Sequence, residues 1–305
     1  MIFTYIIQMI KLTRAHIGIA VLPSFWFGTL FAMVLGYGFD LYTFLMGFII
    51  IFFIYASASY SNDYYDFEAD KHNIQFGFSG GSGVLQKYPK LKKITKWSAF
   101  GFIVISLILT VILSLTTFIP IWSVGYIAIG AFFSWFYSAP PLRLSYRGMS
   151  ELPHFIAGLM NTGWGYILVT GTIDISLIIF AIPLSLHLLN VILIFEIPDR
   201  EADIHGGKKN FIVKRGRHQS YQIICIIFWI STIYFTILSL SEWYADTINF
   251  WLFSIISFFP TLFSTYTYFK NPKEQKQATT FAIQTAISLF TFSIIILIYL
   301  IFLQF

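Results

Sequence analysis

Long apolar blocks alternate with short polar interruptions along this chain. Blocks of about 20 residues with almost no charge fall near 16–36, 42–61, 97–116, 119–138, 152–170, 175–195, 221–240, 248–269 and 279–303. A helix needs roughly 20 apolar residues to cross the hydrocarbon of a bilayer, so each block predicts a span. Backbone groups in hydrocarbon must be paired internally, and the blocks lack the ten-residue alternation of a barrel strand. The pattern therefore predicts an all-α polytopic membrane protein with about nine transmembrane helices, forming one domain over residues 1–305. Residues 1–10 are apolar and lead to Lys11 and Arg14, which predicts a short interfacial segment before the first span.

Composition agrees with this reading. The chain is 57% hydrophobic and 11% charged, against about 25% charged in soluble domains. Aromatic residues make up 20%, mostly Phe, as expected of lipid-facing and helix-packing surfaces. The single cysteine, Cys225, lies in an apolar stretch, permits no intrachain disulfide and suggests no metal site. The N-terminus has no charged n-region and no A-x-A site follows, so no cleavable signal peptide is expected.

The charges sort by side. With nine spans, all 19 Lys and Arg residues fall on one face: at Lys11 and Arg14, within 71–96, at Arg143 and Arg147, within 200–217, and at Lys270, Lys273 and Lys276. The opposite loops carry only Asp40, Asp174, Glu242 and Asp246. Cytoplasmic loops retain Lys and Arg, so the N-terminus and the loops near 62–96, 139–151, 196–220 and 270–278 are expected in the cytoplasm. The net charge of +5 then reads as membrane orientation and does not point to a nucleic-acid partner. The expected location is integral and multi-pass, in the cytoplasmic membrane if the source is prokaryotic.

Two acidic stretches stand on that basic side. In Asn62-Asp63-Tyr64-Tyr65-Asp66-Phe67-Glu68-Ala69-Asp70, the residues Asp63, Asp66 and Asp70 are spaced three and four apart. That spacing puts them on one helix face, where like charges repel by a few tenths of a kcal/mol per exposed pair. The second stretch, 195–203, repeats the spacing at Glu196, Asp199 and Asp203, and its tail Asp199-Arg200-Glu201-Ala202-Asp203 matches the first. Each closes an even-numbered span, which suggests two related halves. A solvated acidic turn accounts for one such stretch better than for two. Facing stretches would form a cage of hard oxygen ligands suited to Mg²⁺, which completes its octahedron with substrate phosphates and water. Glu68 and Glu201 point off the shared face.

Basic groups accompany the acids: Lys71 after the first stretch, Lys208 and Lys209 after the second, and Arg143 after Tyr137-Ser138-Ala139-Pro140-Pro141-Leu142. The prolines end the fourth span. Arg and Lys bind phosphate oxygens by charge-assisted hydrogen bonds, although a topology anchor is the plainer role, and the better one for Lys90, Lys92, Lys93, Lys96, Lys270, Lys273 and Lys276. Polar residues within spans are costly in lipid and so are functional candidates. Asn190 lies nearly two turns deeper than Glu196 on a similar face and is a candidate acceptor contact. For Asn161 and His187 a helix–helix hydrogen bond is an equal reading, and His154 lies close to a span end.

These residues resemble the UbiA superfamily of intramembrane prenyltransferases. Residues 62–70 fit its N-D-x-x-D-x-x-x-D signature, and 199–203 its second D-x-x-x-D. Residues 137–143 look like the loop after its fourth span, Gly207-Lys208-Lys209-Asn210 is similar to its G-K-R-T run, and Leu12-Thr13-Arg14 is family-like. The resemblance covers the whole chain. It implies a nine-helix bundle with a central cavity open to lipid, capped by cytoplasmic motif loops. Two Mg²⁺ ions would bridge Asp63, Asp66, Asp70, Asp199 and Asp203 to the diphosphate of an isoprenyl donor. Asn62, Glu196, Lys71, Arg143 and Lys208 would add metal or phosphate contacts, and Tyr137 or Tyr65 would face an allylic cation. The prenyl group would pass to a lipophilic acceptor, with a quinone precursor such as 1,4-dihydroxy-2-naphthoate first, and other aromatics, a tetrapyrrole or a glycerol phosphate lipid as alternatives. The run 73–83 and Lys71 depart from the common family pattern, as does Phe195-Glu196 ahead of the second motif.

Other classes compete. A cation-coupled transporter would place its acids near the bilayer midplane, whereas these cluster at span ends beside basic residues. A lipid phosphotransferase using a nucleotide-activated alcohol would need D-x-x-D-G followed by A-R, which the first stretch lacks. A non-catalytic lipid-binding scaffold would be favoured by loss of metal ligands, and none is lost.

Overall fold

The computed structural model describes residues 2–72, 81–241 and 243–305, so residues 73–80 of the glycine-rich run and Glu242 lie outside the described residues. Among the described residues the chain is helical and no strand occurs. Helix α1 (Ile2–Leu12) is followed by α2 (Ala15–Val34), α3 (Leu41–Tyr65), α4 (Val84–Lys87), α5 (Lys92–Thr116), α6 (Ser123–Phe136) and α7 (Leu144–Arg147). Next come α8 (Glu151–Thr170), α9 (Ile175–His205), α10 (Phe211–Leu240), α11 (Phe250–Lys270) and α12 (Gln275–Phe302).

Every predicted apolar block carries a helix. By length and composition, six regions can cross a membrane: Leu41–Tyr65, Pro89–Thr116, Ile175–His205, Phe211–Leu240, Phe250–Lys270 and Gln275–Phe302. Pro23–Val34 and Ser123–Phe136 are apolar but shorter. The protein is thus a multi-pass helical membrane protein, with six of the nine expected crossings supported by length and apolarity among the described residues. Large apolar side chains such as Trp97, Leu115, Leu262 and Phe269 lie exposed on these helices, where lipid is their natural solvent.

The three-then-four spacing predicts a single helix face for Asp63, Asp66 and Asp70, but a correction is due: α3 ends at Tyr65 and a 3₁₀ turn covers Ala69–His72. The periodicity survives through two bonds of helical type, from the Asp66 amide to the Asn62 carbonyl and from the Asp70 amide to the Asp66 carbonyl, each 2.8 Å. The second stretch needs no such correction, because α9 runs on through Asp203 to His205.

The chain folds as two compact units. The first comprises Met1–Ala20, Leu41–Pro153 and Asp199–Lys214, and therefore holds the first acidic stretch and the tail of the second. Its frame is α3 packed along α5, with α6 against both. Leu12, Tyr60, Val84, Leu85, Leu91 and Ala99 form a buried cluster that joins α1 and α4 to α3 and α5. Hydroxyls of α3 hold the connection after α1. Tyr60 donates to the Met9 carbonyl, Ser59 to Thr13 at 3.3 Å and Tyr55 to Arg14 at 2.7 Å. Arg14 sits there at φ 50, a left-handed conformation that a non-glycine residue adopts only when its surroundings enforce it.

The second unit comprises Val21–Asp40, His154–Pro198 and Arg215–Phe305. Phe31, Tyr166, Phe180 and Phe253 are fully buried in it, with Phe31 stacked on Phe180 at 4.1 Å between ring centres. Its helices α2 and α8 approach closely: a Cβ at Gly165 would lie 2.0 Å from the Phe25 carbonyl oxygen, and the Thr29 hydroxyl donates to the Gly165 carbonyl at 3.2 Å. Small residues permit this backbone approach where lipid supplies no hydrophobic drive between helices. Gly165→Ala is expected to force α2 and α8 apart and cost about 1–3 kcal/mol of stability. Thermal unfolding in detergent checks this; an unchanged melting temperature would contradict the close approach.

Candidate functional site: a buried carboxylate cluster held by a lysine

The site is assembled in the first unit by three breaks in helical structure. The end of α3 presents Asp63 and Asp66, and the 3₁₀ turn presents Asp70. Gly206 then turns the chain after α9, so close to the first stretch that a Cβ there would meet the Ala69 Cβ at 2.5 Å. The two acidic tails are thereby brought together. Asp63, Asp66, Asp70 and Asp203 are all buried, with exposures of 2, 0, 7 and 7%.

Each carboxylate has its own support. The Ser82 hydroxyl donates to Asp63, and its amide lies 3.3 Å from both Asp63 oxygens. The Asp66 carboxylate accepts from the Tyr146 hydroxyl at 2.8 Å on Oδ1 and pairs with Lys208 Nζ at 2.9 Å on Oδ2. The same Nζ is 3.2 Å from Asp203 Oδ1, and Asn210 Nδ2 donates to Asp203 Oδ2 at 2.7 Å. Lys208 thus bridges one oxygen from each stretch. Hydrogen bonds to charged groups contribute about 1.5–3 kcal/mol each, which offsets part of the cost of burying the acids.

Tyr146 is placed by the loop after α6. The prolines end the helix, and a cis peptide joins Pro140 to Pro141. Arg143 follows at φ 45 and opens α7, and both the amide and the hydroxyl of Ser145 donate to the Tyr137 carbonyl at 3.0 Å. The Arg143 guanidinium carbon lies 3.8 Å from the centre of the Tyr146 ring, while its buried Nε has no hydrogen-bond partner among the described residues.

The cluster is short of positive charge. Burial first, and then the Asp66 charge, pushes the Asp70 carboxyl up to about 8 against the pull of Lys208. Burial disfavours the Lys208 ammonium, but Asp203 and Asp66 outweigh it and hold the amine well above the ordinary lysine range. Burial and Asp66 also raise the Tyr146 phenol, so it donates a proton to the hydrogen bond at neutral pH. Hard oxygens that repel one another suit a divalent cation. Among the described residues, no three acid, His or Cys side chains converge as a ready metal site; an ammonium holds the gap between the stretches.

Asn62 is half-buried at the end of α3 and Asp199 half-buried on α9. Lys71 is exposed and pairs with Glu68 at 2.7 Å, so it is Lys208 that the cluster draws in. Tyr137 is half-buried beside this loop. Asn190 and Glu196 belong to the second unit, both buried, and Asn190 Nδ2 donates to the Ile224 carbonyl at 3.3 Å. Buried His187 packs edge-on against Phe292. Tyr146, Ser82 and Gly81 were not expected at the site from the sequence, and Asn210 only as the last residue of the run 207–210. The left-handed Gly148 after α7 and the small-residue run to Gly83 were the available signals.

A helical membrane protein with a buried carboxylate centre at the end of a span matches one family in sequence. The profile of the UbiA prenyltransferase family covers residues 20–294, and the chain belongs to that family. It is a prenyltransferase by that membership. No curated protein matches it in sequence. Among solved structures, it is similar to a UbiA homologue from Archaeoglobus fulgidus bound to DMAPP and Mg²⁺, with TM-score 0.65, 15% identity and coverage of 95% of this chain and 99% of that one. A structure of digeranylgeranylglyceryl phosphate synthase gives TM-score 0.62 at 18% identity, covering 95% of this chain and 97% of that one. An apo UbiA homologue from Aeropyrum pernix K1 gives 0.61 at 14%, covering 91 and 96%. At these identities the likeness shows a shared fold.

One glycine follows directly from the site's geometry. A Cβ at Gly81 would lie 2.0 Å from Asp70 Oδ2, so Gly81→Ala must turn the Asp70 carboxylate away. Prenyl transfer is expected to fall about 10- to 100-fold with the melting temperature nearly unchanged. Activity close to that of the unmodified protein would show that Asp70 has room to move.

Proposed function

We propose that the protein transfers a prenyl group from an isoprenyl diphosphate to a lipophilic, aromatic acceptor within the membrane, in a Mg²⁺-dependent reaction. The observation that carries this reading is the buried cluster of Asp63, Asp66, Asp70 and Asp203 bridged by Lys208, in a chain of this family. In support, the A. fulgidus homologue binds DMAPP and GPP with Mg²⁺. Asp63, Asp66, Asp70, Asp199 and Asp203 would hold the metal, with Asn62 and Glu196 completing its contacts or those of the phosphates. Bound there, Mg²⁺ would neutralise the diphosphate and improve it as a leaving group. Lys208 and Arg143, whose Nε has no partner among the described residues, supply donors for phosphate oxygens, joined by Lys71 on exchange of its exposed partner Glu68.

The allylic C–O bond breaks with its electron pair leaving on the diphosphate, an electron-rich carbon of the acceptor bonds to the allylic carbon, and the acceptor loses a proton. Tyr137 and Tyr65 offer ring faces to the cation, at about 0.5–2 kcal/mol each. For the acceptor we favour a quinone precursor such as 1,4-dihydroxy-2-naphthoate, placing the protein in menaquinone biosynthesis, with Asn190 as an acceptor contact. A glycerol phosphate lipid is the second reading, in view of the likeness to digeranylgeranylglyceryl phosphate synthase. We further propose nine spans with the motif loops in the cytoplasm, which the one-sided distribution of Lys and Arg supports.

Purified protein supplied with Mg²⁺, geranylgeranyl or longer diphosphates and a panel of acceptors is expected to yield a prenylated product by mass spectrometry, and none in EDTA. Asp66→Ala or Asp199→Ala is expected to abolish turnover in protein that still folds in the membrane. Near-normal turnover in either variant would sink the two-stretch metal site.

A further inference from the structure

We propose that Lys208 couples metal binding to donor binding: its ammonium fills the gap between the two acidic stretches until a diphosphate draws it away. The inference rests on the proposed reading of the site as a metal–diphosphate centre and assigns Lys208 a part in its order of assembly.

Lys208 Nζ lies 2.9 Å from Asp66 Oδ2 and 3.2 Å from Asp203 Oδ1. These are the oxygens, one from each stretch, that a cation between the stretches needs. Mg²⁺ binds oxygens at about 2.0–2.1 Å, so a metal and an ammonium cannot share that gap, by charge or by space. The length of its side chain nevertheless lets the Lys208 ammonium leave. The residue follows Gly206-Gly207, and a lysine head on a four-carbon stem can move by rotamer change without its backbone. A second cation stands close by: the Arg143 guanidinium stacks on Tyr146, the residue that holds the other oxygen of Asp66, and Lys208 Nζ lies 6.0 Å from the centre of the same ring.

The thermodynamic consequence follows from the competition. Metal arriving alone must displace the ammonium and strand it without its two carboxylates. Metal arriving with a diphosphate gives that ammonium a new anionic partner. The differential makes each ligand raise the affinity of the other by one common factor. The donor then binds with its metal, and a site without donor resists filling with metal.

Mn²⁺ binding, read by electron paramagnetic resonance on purified full-length protein, tests this with and without a non-reacting prenyl thiodiphosphate. The unmodified protein is expected to bind Mn²⁺ at least about tenfold more tightly with the analogue present. Lys208→Gln is expected to bind Mn²⁺ alone more tightly than the unmodified protein and to lose most of that enhancement. An unchanged enhancement in Lys208→Gln overturns the coupling role and leaves the metal–diphosphate reading standing. If the unmodified protein shows no metal-dependent analogue binding, that underlying reading fails as well. A second measurement needs no variant. Acylation of Lys208 by an amine-reactive reagent, followed by mass spectrometry, should speed up with Mn²⁺ alone and slow again with Mn²⁺ and analogue together. No response to Mn²⁺ at concentrations that fill the site overturns the proposal.

Discussion

The Asp66 carboxylate is the point on which the functional end of this protein depends. It has no exposure to solvent, and a lone ionised carboxylate in such a place costs several kcal/mol. Two distant pieces of chain offset part of that penalty: Tyr146 from α7 on one oxygen and Lys208 from the turn after α9 on the other. Satisfying Asp66 therefore also fixes where α7 and the 206–210 turn must sit relative to the end of α3. The arrangement is a structural requirement of a buried charge before it is a catalytic one. It also leaves the cluster with more acid groups than the one lysine can pair, and Asp70 responds by holding its proton to higher pH.

The same balance explains why the acids lie at the break between helix and loop. Within a span, backbone pairing is complete and a carboxylate has no backbone donor to call on. Past Tyr65 the chain leaves the helix, and the Ser82 amide and hydroxyl become available to Asp63. The transporter reading of the acidic residues loses ground for this reason as well as through family membership. These groups are supported by loop amides, hydroxyls and a lysine at the end of α3, whereas a translocation site is built from groups near the bilayer midplane.

Helices and acids were legible in the sequence because each leaves a local signal. Apolar blocks of span length can become little else, and three-then-four spacing survives even where α3 gives way to a 3₁₀ turn. The supports of the acids were not legible. Tyr146 reaches Asp66 from far along the chain, and nothing near it in sequence marks it apart from the glycine at 148; the left-handed turns at Arg143 and Gly148 that bracket α7 show only in the fold. Ser82 sits in a glycine-rich run that reads as a plain loop. The need for glycine at 81 and 206 is steric, set by Asp70 and Ala69 approaching from elsewhere, and tertiary contacts of that kind have no sequence period.

The two lysines that follow the two acidic tails show how far matching sequences can diverge in role. Lys71 comes directly after Asp70, continues the 3₁₀ turn and so points back along it to Glu68, three residues earlier, in an exposed pair. Such a pair contributes little, about 0–1 kcal/mol. Lys208 comes five residues after Asp203, beyond Gly206-Gly207, and its amide bonds the Asp203 carbonyl at 3.0 Å as the chain reverses. That reversal returns its side chain to Asp203 and carries it on to Asp66. The repeat of Asp-x-x-x-Asp is thus symmetric in sequence and asymmetric in charge: one tail discards its lysine to solvent and the other folds its lysine into the site. A pair of equivalent acidic tails would have left the cluster with no internal cation, and the glycine turn after α9 is what supplies one.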